Sequence, residues 1–146
     1  MNVQMIMPLS GPGFSFRYSG SLSGMHLSAI NPFVEISEHK RMKTGVLQQG
    51  SFDVNVHDGR AAGTVRLAYK DMKIVAIDDR TKSESGVGNT LISLFANNIK
   101  LRTSNAKDKS GDMKLGKIDY AKKSDEALFE FAWLALRGGI CDVAGF

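Results

Sequence analysis

Apolar and polar residues alternate with a period of two through much of the first two-thirds of the chain. Phe14, Phe16 and Tyr18 fall on one side, with Ser15, Arg17 and Ser19 opposite. Phe52, Val54 and Val56 alternate with Asp53, Asn55 and His57, and Val65, Leu67 and Tyr69 with Thr64, Arg66 and Ala68. Such runs predict strands with one buried face. His57-Asp58-Gly59-Arg60 separates the second run from the third, and Asp-Gly between two alternating runs predicts a tight hairpin. Further strands are expected at 72–77, after Lys70-Asp71, and at 113–120. The pattern implies an antiparallel sheet with one wet side.

Helical spacing interrupts this pattern in three places. Asn31-Pro32-Phe33-Val34-Glu35-Ile36 reads as a short helix capped by Asn31, with Pro32 at the first helical position. Leu91, Ile92, Phe95 and Ile99 recur at helical spacing after the glycine- and serine-rich stretch 83–88. The run at 127–136 is the most apolar helix candidate. It leaves Glu126, Glu130 and Arg137 on one narrow polar stripe, so it wants cover on several sides: a sheet, a partner or a lipid surface. Burial as core is the favoured reading. Ser124 or Asp125 is expected to cap this helix, and Gly138-Gly139 to end it. The fold class expected is α+β: a mainly antiparallel, curved β-sheet with short helices and a C-terminal apolar helix packed on it.

Composition narrows the class. With 42% hydrophobic and 23% charged residues over 146 positions, the chain is globular and long enough for a real core. It is expected to form one domain over 1–146. One cysteine, Cys141, precludes an internal disulfide. No apolar run approaches the ~20 residues that span a bilayer, and residues 1–8 lack the positive start of a signal peptide. The net charge of +4 is unevenly placed: residues 100–123 carry eight Lys/Arg against three Asp, whereas residues 124–146 hold four acids against Arg137. The basic excess beside the apolar helix suits an acidic lipid surface, but a solvated strand and loop that keep the protein soluble is the favoured reading. The basic segment lacks the interleaved aromatics of a single-strand nucleic-acid binder, so no nucleic-acid partner is expected.

No catalytic constellation emerges. Glu35 and His39 could face one metal, but two ligands without a third make poor evidence, so no metal and no cofactor are expected. His57 lies beside Asp58 at the hairpin turn, where polar residues belong in any case. Cys141 has no base or orienting group to nominate it as a nucleophile. Gly86-Val87-Gly88-Asn89-Thr90 lacks the third glycine and the lysine of phosphate-cradling loops and reads as a hinge and N-cap.

Several runs taken together carry a family likeness. They are Asn31-Pro32-Phe33; the block Ser51-Phe52-Asp53-Val54-Asn55-Val56 continuing through Asp58-Gly59-Arg60 to Gly63-Thr64-Val65; Tyr69-Lys70-Asp71-Met72; Ser93-Leu94-Phe95-Ala96-Asn97-Asn98; and Gly116-Lys117-Ile118-Asp119-Tyr120 leading into Phe131-Ala132-Trp133-Leu134-Ala135-Leu136-Arg137-Gly138-Gly139. Over residues 25–146 the chain resembles the C-terminal module of AsmA-like bacterial envelope proteins, relatives of the TamB group.

That resemblance implies a non-enzymatic part of a longer, membrane-anchored β-groove protein of the periplasm, concerned with phospholipid transport or outer-membrane maintenance. The family's membrane anchor and long repetitive β region are lacking here. The resemblance carries no catalytic residue. The candidate contacts are Phe129, Phe131, Trp133, Leu134 and Leu136 toward lipid or an envelope protein partner, and Lys114, Lys117, Lys122 and Lys123 toward an acidic surface. The alternative is a soluble binding domain for a protein partner or a small apolar ligand.

Overall fold

A computed structural model describes residues 2–8, 10, 13–77, 104–105 and 113–145. Strands β1 (Asn2–Ile6), β2 (Phe16–Leu22), β3 (Met25–His26), β4 (Lys40–His57), β5 (Arg60–Ala76) and β6 (Leu115–Ala121) build one antiparallel sheet in the order β1-β2-β4-β5-β6, with short β3 also paired to β4. A 3-10 turn (Leu27–Ile30) leads into α1 (Asn31–Glu38), and α2 (Leu128–Ala144) follows β6. The expected class, an α+β fold with the C-terminal helix on the sheet, is what the chain adopts.

The period-two pattern works because only one face is buried. Phe16, Tyr18, Val54, Val56, Ala61, Val65 and Ile118 point inward and meet Phe131, Ala132 and Ala135 of α2. Helix α2 packs chiefly on β5 and β6. Leu27, Leu47, Tyr69, Met72 and Ile74 extend the core beneath the end of α2, at Val143 and Ala144. Asp58 (φ 47°) and Gly59 (φ 75°) turn the β4–β5 hairpin, with His57 opposite Arg60. Positive φ at both central residues matches the twist of the flanking strands.

Four sequence expectations are corrected. The segment at 72–77 is not a separate strand: β5 runs through Lys70-Asp71, where Asp71 takes φ 55°. The opposite strand shifts register between Met42 and Gln49, and Thr44 Oγ1 donates to the Asp71 carbonyl at 2.7 Å. The turn-like residues mark a bulged region that keeps a long hairpin coiled.

Asn31 does not cap α1. It is the first helical residue after Ile30, and its amide imitates a strand: Nδ2 donates to the Met42 carbonyl at 3.1 Å while Oδ1 accepts from the Met42 N–H at 2.8 Å.

Neither Ser124 nor Asp125 caps α2. The cap position is Ala127, with no side-chain bond, because Ser124 and Asp125 form a turn of their own and the backbone is extended at Ala127 before α2 begins. Gly138-Gly139 does not end the helix either; α2 continues to Ala144 and stops at Gly145 (φ 85°). The strand expected over 113–120 begins at Leu115, after 113–114, and the helix expected over 91–99 and the glycine-rich 83–88 stretch with Gly86-Val87-Gly88-Asn89-Thr90 lie outside the described residues.

Candidate functional site

The five apolar helix residues separate by role. Phe131 is fully buried and sits among aromatic rings: edge-on to Phe14 at 5.3 Å and Phe16 at 6.2 Å, tilted to Tyr120 at 5.7 Å. Leu136 packs against the same cluster, and Leu134 is half-buried. Phe129 is 78% exposed. Trp133 is half-buried and meets Phe33 of α1 edge-on, with ring centroids 4.7 Å apart.

These residues form a continuous strip. Phe129 and Trp133 are one helical turn apart on α2, and Phe33 and Ile36 are neighbours on α1. The Phe33–Trp133 contact joins the pairs into an apolar ridge, with Phe33 50% and Ile36 77% exposed. Arg137 closes its flank, donating through Nε to Glu38 Oε1 at 2.7 Å. Contiguous exposed apolar surface rimmed by charge marks a contact surface more often than scattered single residues do.

The polar stripe expected along α2 is broken up. Glu130 is exposed on the first turn, Arg137 pairs with α1, and Glu126 precedes the helix altogether. Glu126 is buried, accepts the Tyr120 hydroxyl on Oε1, and accepts the Lys123 N–H on Oε2 at 3.0 Å. The Tyr120 hydrogen bond holds the Glu126 carboxyl below its ordinary range, against the opposing effect of burial. The same bond pushes the Tyr120 phenol up to about 12. This staple fixes the end of β6 to the start of α2.

The four lysines have different surroundings. Lys114 is held by Asp142, Nζ to Oδ1 at 2.6 Å, and the other Asp142 oxygen accepts the Lys117 N–H at 2.9 Å. The Lys117 side chain lies on the exposed face of β6. Lys122 stands 5.3 Å from the centre of the Phe14 ring and donates to the Lys123 carbonyl. Lys122 and Lys123 share a shallow depression of about 540 Å³ with Arg60 and Asp58 at the hairpin end. A smaller cleft of about 230 Å³, lined by Met7, Pro8, Phe14, Phe16 and Leu128, is below the ~300–1,000 Å³ of small-molecule sites.

The remaining chemical candidates have structural partners. Glu35 binds Arg41 through both oxygens, at 2.6 and 3.2 Å, and His39 is the left-handed residue that ends α1. His57 Nδ1 lies 3.2 Å from Asp58 at the exposed turn. Among the described residues, no three acidic, histidine or cysteine side chains converge on a metal position. Cys141 is half-buried on α2, and burial pushes its thiol up rather than activating it.

Two polar anchors went unsuspected. One is the Tyr120–Glu126 staple. The other is Asn105, buried within a polar stretch: its Nδ2 donates to the Leu67 and Lys114 carbonyls at 2.7 and 3.0 Å, and its backbone bridges Tyr69. Nothing distinguishes Asn105 in sequence from the polar residues around it.

Among the described residues, no helix is long and apolar enough to cross a membrane. No family model, curated protein or solved structure matches the chain.

Proposed function

We propose that the chain is a non-enzymatic envelope module of the AsmA-like type, which rests its Phe129–Trp133–Phe33–Ile36 ridge on phospholipid and belongs to a protein that transports phospholipid or maintains the outer membrane. The observation that carries this reading is the ridge: large apolar side chains from two helices, joined by the Phe33–Trp133 contact, with Phe129, Phe33 and Ile36 left in solvent. Aromatic and aliphatic residues on a helix that lies on, rather than across, a bilayer are the usual means of interfacial attachment. The sequence likeness to AsmA-like C-terminal modules supports the same conclusion, and the basic Lys122–Lys123 end adds attraction to anionic headgroups.

Flotation with phosphatidylglycerol–phosphatidylcholine vesicles tests it. The wild-type chain rises with the vesicles, and less of it does so as salt is added. Phe129→Asp and Ile36→Asp abolish flotation without lowering the melting temperature, since both side chains are exposed. A wild-type chain that stays with the soluble fraction overturns the lipid reading in favour of a soluble domain for a protein partner. Ridge variants that float normally overturn the ridge.

A further inference from the structure

Helix α1 is 8 residues long, too short to keep its shape and angle without help from its surroundings. Val34 is the side chain it buries. Asn31 ties its first residue to Met42, and Glu35 pairs with Arg41 just past its end. These bonds fasten α1 to the start of β4. They leave its angle against α2 to other contacts.

Side chains along one row of α2 supply them. Phe129, Trp133 and Arg137 follow one another a helical turn apart, so they stack on one side of the helix. Phe33 meets Trp133 edge-on at 4.7 Å. Glu38, the last residue of α1, accepts from Arg137 Nε at 2.7 Å, and its side chain is only 13% exposed there. A single ring-edge contact lets one helix swivel on the other. A second contact one turn further along fixes the angle.

We propose that Glu38 and Arg137 are positioning residues for lipid contact: their ion pair clasps α1 to α2, so that Phe33 and Ile36 meet a bilayer in line with Phe129 and Trp133. This role rests on the ridge being the lipid-binding surface. With the pair broken, α1 swivels about the Phe33–Trp133 contact and its half of the ridge leaves the plane of the other half. An element that lies on a bilayer binds according to the apolar area it buries together, so a split ridge binds more weakly than a continuous one.

Charge reversal separates the clasp from plain attraction to anionic headgroups. Arg137→Glu makes the chain more acidic and Glu38→Arg makes it more basic, so headgroup charge alone would shift binding in opposite directions. A broken clasp weakens both. In flotation with phosphatidylglycerol–phosphatidylcholine vesicles, each single variant is expected to bind about tenfold less tightly, since burial of one large apolar side chain is worth at least that factor. The double variant, Glu38→Arg with Arg137→Glu, keeps the wild-type net charge and restores binding. Acrylamide quenching of Trp133, the chain's one tryptophan, reads the clasp without lipid: it rises in both single variants and returns to the wild-type level in the double variant. All three keep the far-UV signal of the sheet, whose core is untouched.

Single variants that shift binding in opposite directions overturn the proposal, because net charge then governs. Unchanged quenching in both single variants overturns it too, as does a double variant that restores neither readout. A wild-type chain that does not float overturns the lipid reading and this role with it, and a quenching response then marks the pair as a packing contact alone.

Discussion

Gly116 of β6 and Gly139 of α2 bring strand and helix into backbone contact: a β-carbon on Gly116 would overlap the Gly139 carbonyl oxygen. The contact explains why a glycine pair that looks like a helix terminus lies inside α2. Gly139 is buried, and a β-carbon there would lie 2.7 Å from both Ile118 Cγ1 and Val65 Cγ2. Glycine is used at this position for its lack of volume rather than for its backbone freedom.

Opposite outcomes are expected at the two adjacent glycines. Gly139→Ala overpacks the β5–β6–α2 junction and should cost about 1–3 kcal/mol. Gly138 faces open space, with nothing within 4 Å of a built β-carbon, so Gly138→Ala should stabilise by about 0.5–1 kcal/mol through helix propensity and a less flexible unfolded chain. Urea denaturation of the two variants checks both signs.

The two phenylalanines in the first turn of α2 should also diverge. Phe131→Ala empties the centre of the aromatic cluster and should cost about 3–5 kcal/mol, a large share of a typical stability of about 5–15 kcal/mol. Phe129→Ala removes an exposed ring and should change stability by less than about 0.5 kcal/mol. Equal losses in thermal denaturation would contradict the orientation of α2.

Tyr18 sets an alkaline limit. Its hydroxyl donates to the Ala132 carbonyl at 2.9 Å, tying β2 to α2, and burial pushes its phenol from 10 up to about 12. Below the unfolded value both states hold the proton, and the full stability is present. Between 10 and about 12 the unfolded chain ionises first, so stability falls as pH rises. Tyr18→Phe should cost about 1 kcal/mol at neutral pH and flatten that alkaline decline. Chemical denaturation at a series of alkaline pH values measures both effects.

Local periodicity made the sheet readable: burial on one side imposes a period of two at 52–56 and 64–69, and Asp58-Gly59 supplies the backbone its hairpin needs. The helix ends were harder because their signals had been claimed for other tasks. Asn31 spends its amide on Met42 rather than on α1, and Gly139 serves packing. The ridge was half legible. An apolar run announces a helix that wants cover, but Phe131 and Phe129 look alike until the sheet arrives on one side. Phe33 joins Trp133 from a hundred residues earlier, a pairing that no local pattern encodes. The same distance problem hid the Tyr120–Glu126 staple, since alternation marks Tyr120 as inward-facing but does not name its partner.

That staple should make the joint between β6 and α2 sensitive to acid. The Tyr120 hydroxyl and the Lys123 N–H both donate to ionised Glu126 and hold its carboxyl below the ordinary value of 4.5. Above that value both folded and unfolded chains carry the charge, and the stabilisation is fully present. As pH falls below it, the unfolded chain takes up the proton first, and the stabilisation drains away until the folded carboxyl is protonated too. A double-mutant cycle with Glu126→Gln and Tyr120→Phe isolates the pair. Its coupling should favour folding at neutral pH and shrink in acid, as protonation removes the charge-assisted acceptor. Coupling of equal size at both pH values would mean that Glu126 is held as a neutral acid and that its charge does not fasten the helix.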